Sequence, residues 1–223
     1  MKSLNSNNTR SNMFDLEYKG GNALVISTKK SSLVIDPKLS LIGLKDLKVK
    51  DQIAVATENR FRVADTDAQV VIDGPGEYEV GDFTIRGIAA TRHIDTPDQE
   101  KLSTVYRVEC GDVRLAILGN IDPKLSEEQY EAIGVIDILV LPVGGGGYTL
   151  DATSATTIVR SIEPKVVVPV HYAGAGLAYE VPQDTLETFV GELGAPKETV
   201  PKLKVKSVSA LPQALTVIEV ERS

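Results

Sequence analysis

A chain of 223 residues with 42% hydrophobic side chains holds enough apolar material for one domain of ordinary size, and aromatics at only 5% leave Val, Ile and Leu to build the core. A formal net charge of −7, with no Lys/Arg cluster longer than pairs such as Lys29-Lys30, argues against nucleic acid as the partner, although Arg60 and Arg62 could line a local groove. One cysteine, Cys110, excludes an internal disulfide, and no stretch approaches the length of a membrane span.

The first dozen residues are rich in Ser and Asn and lack an apolar run, so residues 1–12 read as a disordered leader, with Met13 as an alternative start. Residues 13–223 are expected to form a single domain. Phe14 to Tyr18 alternates, Ala23 to Ser27 follows the Gly20-Gly21 turn, and Ser32 to Asp36 stops at Pro37. Val80-Gly81-Asp82-Phe83 and Cys110-Gly111-Asp112-Val113 each sit between β-rich runs and predict hairpins.

Three helices are marked by their caps. Ser126 with Gln129 makes a capping box for a helix ending near Gly134, and Asp184 with Glu187 suggests another that stops at Gly194. The second of these carries Leu186, Phe189, Val190 and Leu193 on one face. A further helix is expected after Asp151, running to about Ser161 and feeding the apolar strand Val166 to Val168, which suits burial on both faces. Beyond Pro196 the tail reads as linker plus a last strand, Ala214 to Val220, that completes a sheet or pairs with a partner; an exposed edge there would offer a dimer contact.

Several runs arrive in a telling order: Val113 to Asn120, then Ile136-Asp137-Ile138-Leu139-Val140-Leu141-Pro142-Val143-Gly144-Gly145, then Pro164 to Tyr172 with His171 at a strand end. In order and character they resemble the metallo-β-lactamase superfamily, in particular the branch with ascorbate-lactonase-like hydrolases. The resemblance covers the chain from Met13 to about Phe189. It implies an α/β fold, a four-layer αββα sandwich, with a dinuclear metal site where strand-end loops meet.

The metal ligands that the resemblance implies are mostly missing. The family's His-x-His-x-Asp-His run falls on Thr57-Glu58-Asn59-Arg60-Phe61-Arg62-Val63, so Glu58, Arg60, Arg62 and Val63 stand where two His, Asp and His would be. Arginine is permanently cationic and has no lone pair to offer a metal. Ile117 and Asn120 replace the next His and the bridging Asp, and only His171 matches a ligand position unchanged. The chain has two histidines in all, His93 and His171, and two imidazoles do not build a dinuclear site.

The substitutions look coordinated. Removing dications from a cleft of carboxylates would leave buried negative charge, yet Asp has become Asn120 and two arginines have entered the ligand loop. An ion pair of Arg60 or Arg62 with Glu58 is therefore expected inside the old cleft. His93 is read as a half-exposed loop residue beside the cleft, with a possible ligand contact. Ile72 to Phe83, containing Gly74-Pro75-Gly76-Glu77-Tyr78, is read as turn chemistry, and Gly144 to Gly147 as a flexible turn bordering the cleft. No Gly-x-Ser-x-Gly elbow marks a serine nucleophile, and nothing near Cys110 would lower its pKa.

The reading that follows is a degenerate member of the fold, acting without metal or cofactor as a ligand-binding or protein-interaction module in the cytoplasm. Its cleft candidates are His171, Asn120, Glu58, Arg60, Arg62 and His93, and its partner a small molecule, another protein or a second copy. The alternatives are a hydrolase with one zinc or manganese held by His171, His93 and carboxylates such as Asp65, Asp67 or Asp95, and a metal-free enzyme using Arg60, Arg62 and His171 on an anionic substrate.

Overall fold

Two β-sheets face each other across a shared apolar layer, and one of them carries all the α-helices of the described residues. The structure, a computed structural model, describes residues 13–64, 66–93 and 101–223; the expected leader, Asp65 and Asp95 lie outside them. The first sheet contains β1 (Phe14–Gly20), β2 (Ala23–Ser27), β3 (Ser32–Ile35), β4 (Ile53–Val55) and β5 (Val70–Ile72), with β13 (Leu203–Val205) added beside β1. Strict alternation in β1 buries Phe14, Leu16 and Tyr18 and leaves Asp15 and Glu17 toward solvent.

The second sheet begins as an antiparallel meander of β6 (Gly76–Val80), β7 (Phe83–Thr91), β8 (Leu102–Cys110) and β9 (Val113–Ile117). Both predicted hairpins are in it, with Val80 opposite Phe83 and Cys110 opposite Val113. It continues in parallel through β10 (Ile138–Pro142), β11 (Val166–Val170), β14 (Thr216–Val220) and β12 (Lys197–Val200). The parallel strands β10 and β11 are buried at every position, as strands covered on both faces must be.

Helices α1 (Glu127–Ile133), α2 (Ala152–Ile162) and α3 (Leu186–Leu193) cover the outer face of this sheet. The capping box of Ser126 and Gln129 is formed, and Asp151 caps α2 by accepting from Ser154 N at 2.7 Å. The fold is thus the expected mixed α/β sandwich, with an uneven outer coating. Between β3 and β4 there is no α-helix, only a 3-10 turn at Leu39–Ile42, because Gly43 at φ 78 ends it after a single turn.

Three details differ from the expected picture. Helix α3 is capped by Thr185 and not by Asp184, and no side-chain bond closes the cap. The Asp184 backbone is engaged elsewhere, donating to Gly144 O at 2.7 Å and accepting from Ala173 N at 2.9 Å. The last strand, β14, lies between β12 and β11, so it offers no free edge for a dimer. The tail before it also forms β12 and β13 rather than a linker, and so closes a strand onto each sheet.

Candidate functional site

The candidate site gathers at strand ends, where the last hydrogen-bonded residue frees the next side chain to turn over the edge of a sheet. Strand β3 delivers Asp36, β4 delivers Thr57 and Glu58 through a short extension, β9 delivers Asn120, and β11 delivers His171. Asp36 and His171 both hold left-handed backbone, at φ 49 and 51, which non-glycine residues adopt only under constraint. At Asp36 the constraint is visible: its two carboxylate oxygens accept from Thr57 N and Thr57 Oγ1, each at 2.7 Å. That clamp fixes the start of the loop carrying Glu58 and Arg60. Gly119 is required beside it, since at φ 63 a Cβ there would stand 2.7 Å from Thr57 Cβ.

Glu58 is the hub. Its carboxylate is buried, with Oε2 at 3.1 Å from Arg60 Nε and 2.5 Å from Arg92 Nε, both charge contacts rather than aligned hydrogen bonds. Oε1 accepts from Asn120 Nδ2 at 3.1 Å, and Asn120 Oδ1 in turn accepts from Asn22 Nδ2 at 2.9 Å. The expected ion pair with Glu58 is present, and Arg60 makes it. Arg62 does not belong to the cleft: its guanidinium pairs with Asp73 at 2.6 Å on an exposed flank. The intervening 3-10 turn, Asn59–Phe61, sends the two arginines to different sides.

His171 lies apart from Glu58's bonding shell. Its Nδ1 is 3.2 Å from Gln183 Oε1, whose amide nitrogen donates to Val181 O and Pro182 O, so Nδ1 carries the proton. Its ring tilts against Tyr179 at 4.6 Å between centroids. Burial first, and the charge of Arg60 second, push its pKa down to about 3, which leaves the imidazole neutral. His93 meets the network only through its backbone, donating to Asn120 O at 2.9 Å. The glycine run is close-packed at its start and open at its end: a Cβ on Gly144 would stand 2.3 Å from His171 O and one on Gly146 2.6 Å from Pro182 O, whereas Gly147 is exposed with nothing near it.

Burial pushes Asp36 up to about 7 against the two bonds from Thr57 that pull it down. Burial likewise raises Glu58, opposed by the charges of Arg60 and Arg92 and the Asn120 amide. It lowers Arg92, with Glu58 acting the other way. Cys110 is buried and raised to about 11, so it is a poor nucleophile.

Glu58 and Arg60 separate two unequal spaces. On the His171 side, a pocket of about 20 Å³ among Arg60, Phe61, Tyr148, His171, Tyr179 and Gln183 is close to full. On the other side a groove of about 400 Å³ runs past Arg92, Ser103 and Thr104, with Pro75, Ala89 and Leu102 as apolar walls.

The donors present do not fit a metal pair. Among the described residues, no three His, Cys, Asp or Glu side chains gather in a group that would hold a metal ion. Asp67 is exposed and bridges by its backbone to Lys50, away from His171. Guanidiniums face Glu58 where a second and third donor would be needed.

The sequence profile of the beta-lactamase superfamily domain matches residues 15–171. The chain belongs to that family. A UPF0173 protein of Pyrococcus abyssi is 28% identical over 185 residues, covering 71% of this chain and 83% of that one. A UPF0173 protein of Pyrococcus furiosus is 36% identical over 96 residues, a match that spans only 43% of this chain and 41% of the relative. Among solved structures, a Thermotoga maritima protein of the metallo-β-lactamase superfamily superposes with a TM-score of 0.72 at 22% identity, over 93% of this chain and all of that one. At that identity the likeness shows the fold.

Residues that sequence reasoning did not single out complete the network: Asn22, Asp36, Arg92 and Gln183. For Arg92 a signal existed, because inward parity from Ile88 through Ala90 leads to it. The other three come from separate turns, and only the fold brings them together. No helix of the described residues is long and apolar enough to cross a membrane.

Proposed function

We propose that this superfamily member is not a dinuclear metallohydrolase, and that it works as a metal-independent module binding a small molecule or a protein through the remodelled cleft. One observation carries the reading: the positions of the first metal motif hold a buried ion network in which Arg60 and Arg92 converge on Glu58, and Asn120 completes its bonding. A carboxylate held by two guanidiniums is not available to a dication, and the guanidiniums cannot themselves coordinate one. The groove beside Arg92 is the space in which a ligand would lie.

A second reading has one observation in its favour. With its proton on Nδ1, neutral His171 keeps the Nε2 lone pair that a mononuclear zinc or manganese site would use. Elemental analysis separates the two readings, on protein purified without chelator and briefly incubated with zinc or manganese. The proposed function predicts essentially no metal per chain and ligand-induced melting shifts that persist in chelator. About one tightly held metal per chain, lost in His171→Ala, would overturn it.

A further inference from the structure

Arg60 sits in a seat shaped for its own head group. Its Nε faces buried Glu58 Oε2 at 3.1 Å, and its Nη1 faces Glu180 Oε2 at 3.5 Å near the rim. The Cζ atom lies 4.7 Å from the Phe61 ring centroid and 5.7 Å from that of Tyr148, so the planar cation has aromatic neighbours as well as carboxylates. Behind Glu58 stands a second buried carboxylate, Asp36, and from β7 the Arg92 guanidinium reaches the same Glu58 oxygen. The interior of the cleft thus holds two acidic and two guanidinium side chains.

We propose that the chain carries its own cations: Arg60 and Arg92 supply the positive charge that balances Glu58, and the Arg60 seat is a binding site selective for guanidinium-type cations. The inference rests on the metal-independent reading above and adds the chemistry of the cation. Four side chains set the selectivity. Glu58 demands positive charge, Phe61 and Tyr148 favour a flat, weakly hydrated cation over a compact ammonium, and Glu180 supplies an acceptor on the opposite side. A divalent metal entering the same seat would find Glu58 and Glu180, but among the described residues no group of three His, Cys, Asp or Glu side chains gathers to hold it.

The seat becomes testable when its occupant is shortened. In Arg60→Ala, a hole opens toward the pocket shared with Tyr148 and His171, of a size for free methylguanidinium. Thermal melts of this variant are compared in millimolar methylguanidinium, methylammonium, sodium chloride at equal ionic strength, and zinc. Arg60→Ala is expected to melt several degrees below the parent, and methylguanidinium to restore at least half of the loss through binding to the folded state. Methylammonium and sodium chloride should restore little, and the parent and Arg62→Ala should not respond to any of the four. If Arg60→Ala fails to fold, Arg60→Lys takes its place: it is expected to melt several degrees below the parent because a compact ammonium does not fit a seat lined by Phe61 and Tyr148, and a melting temperature equal to the parent's would overturn the proposal. Equal recovery by methylammonium or salt, or none by methylguanidinium, would overturn the proposal. Recovery by zinc alone would make the seat a metal position and overturn it too. Zinc uptake by the unaltered protein would instead strike the metal-independent reading itself.

Discussion

The two sides of Glu58 differ in a way that separates scaffold from chemistry. Toward His171 the space is packed by Arg60, Tyr148, Tyr179 and Gln183, whereas toward Arg92 a groove of about 400 Å³ stays open. On the first side backbone is packed against backbone, with His171 held at φ 51 and Gly144 against its carbonyl. On the second side a guanidinium, Arg92, stands between the open groove and the buried Glu58 carboxylate. One strand-end site thus joins a rigid wall to a charged one.

The strongest way to break this contrast is to remove the buried arginine. Arg92 has an exposure of 5% and faces Glu58 directly, so Arg92→Ala should cost about 3–5 kcal/mol, visible in denaturant midpoints. Glu58→Gln added to it should return part of that loss, because the buried carboxylate that Arg60 alone must then balance is gone. Equal stability of Arg92→Ala and parent would show that the hub carries no net charge to balance.

Gly144→Ala probes the packed side. The added methyl would overlap His171 O and Gln183, and a loss of about 1–3 kcal/mol is expected from equilibrium unfolding. A flexible turn would absorb the methyl with no measurable change.

The two sides should also titrate in opposite senses. Asp36, raised to about 7 from 3.8, stabilises the fold fully below its unfolded value and loses that contribution as pH rises through 7. His171, lowered to about 3 from 6.5, contributes above its unfolded value and loses it as pH falls toward 3. Over roughly pH 4 to 6.5 the two slopes oppose one another. Relative to the parent, Asp36→Asn should therefore gain stability as pH rises through this window, and His171→Gln as pH falls. Melting temperatures of the three proteins across that range check both signs, and parallel curves would contradict them.

Small effects sharpen the same distinctions. Arg62→Ala breaks only an exposed pair with Asp73 and should cost under about 1 kcal/mol in the same unfolding assay, well short of Arg60→Ala. Asp184→Ala should leave α3 within about 0.5 kcal/mol of the parent, while Asp151→Ala should cost about 1 kcal/mol through the lost cap on α2.

Much of the scaffold is legible in the sequence because it is written in periodicity and punctuation. Alternation marks β1, apolar runs mark β10 and β11, and Gly-Asp turns mark both hairpins. The 3-10 turn between β3 and β4 is less legible: Leu39 and Ile42 are buried in it, and only Gly43 marks where it stops. At the site, Glu58, Arg60 and Asn120 can be found from the motif they replace, and the network joins them. Arg62 cannot be told from Arg60 by spacing alone, because a 3-10 turn separates their directions. Asn22 and Asp36 are invisible to any local pattern: they reach Asn120 and Thr57 across 98 and 21 residues of chain.

The most direct measurement of the central claim is anomalous scattering at the zinc edge from crystals grown with zinc. The account predicts electron density for Arg60 and Arg92 against Glu58, with no anomalous peak within ligand distance of Glu58 or His171 Nε2. A peak bound by either residue, with Arg60 displaced from Glu58, would contradict it.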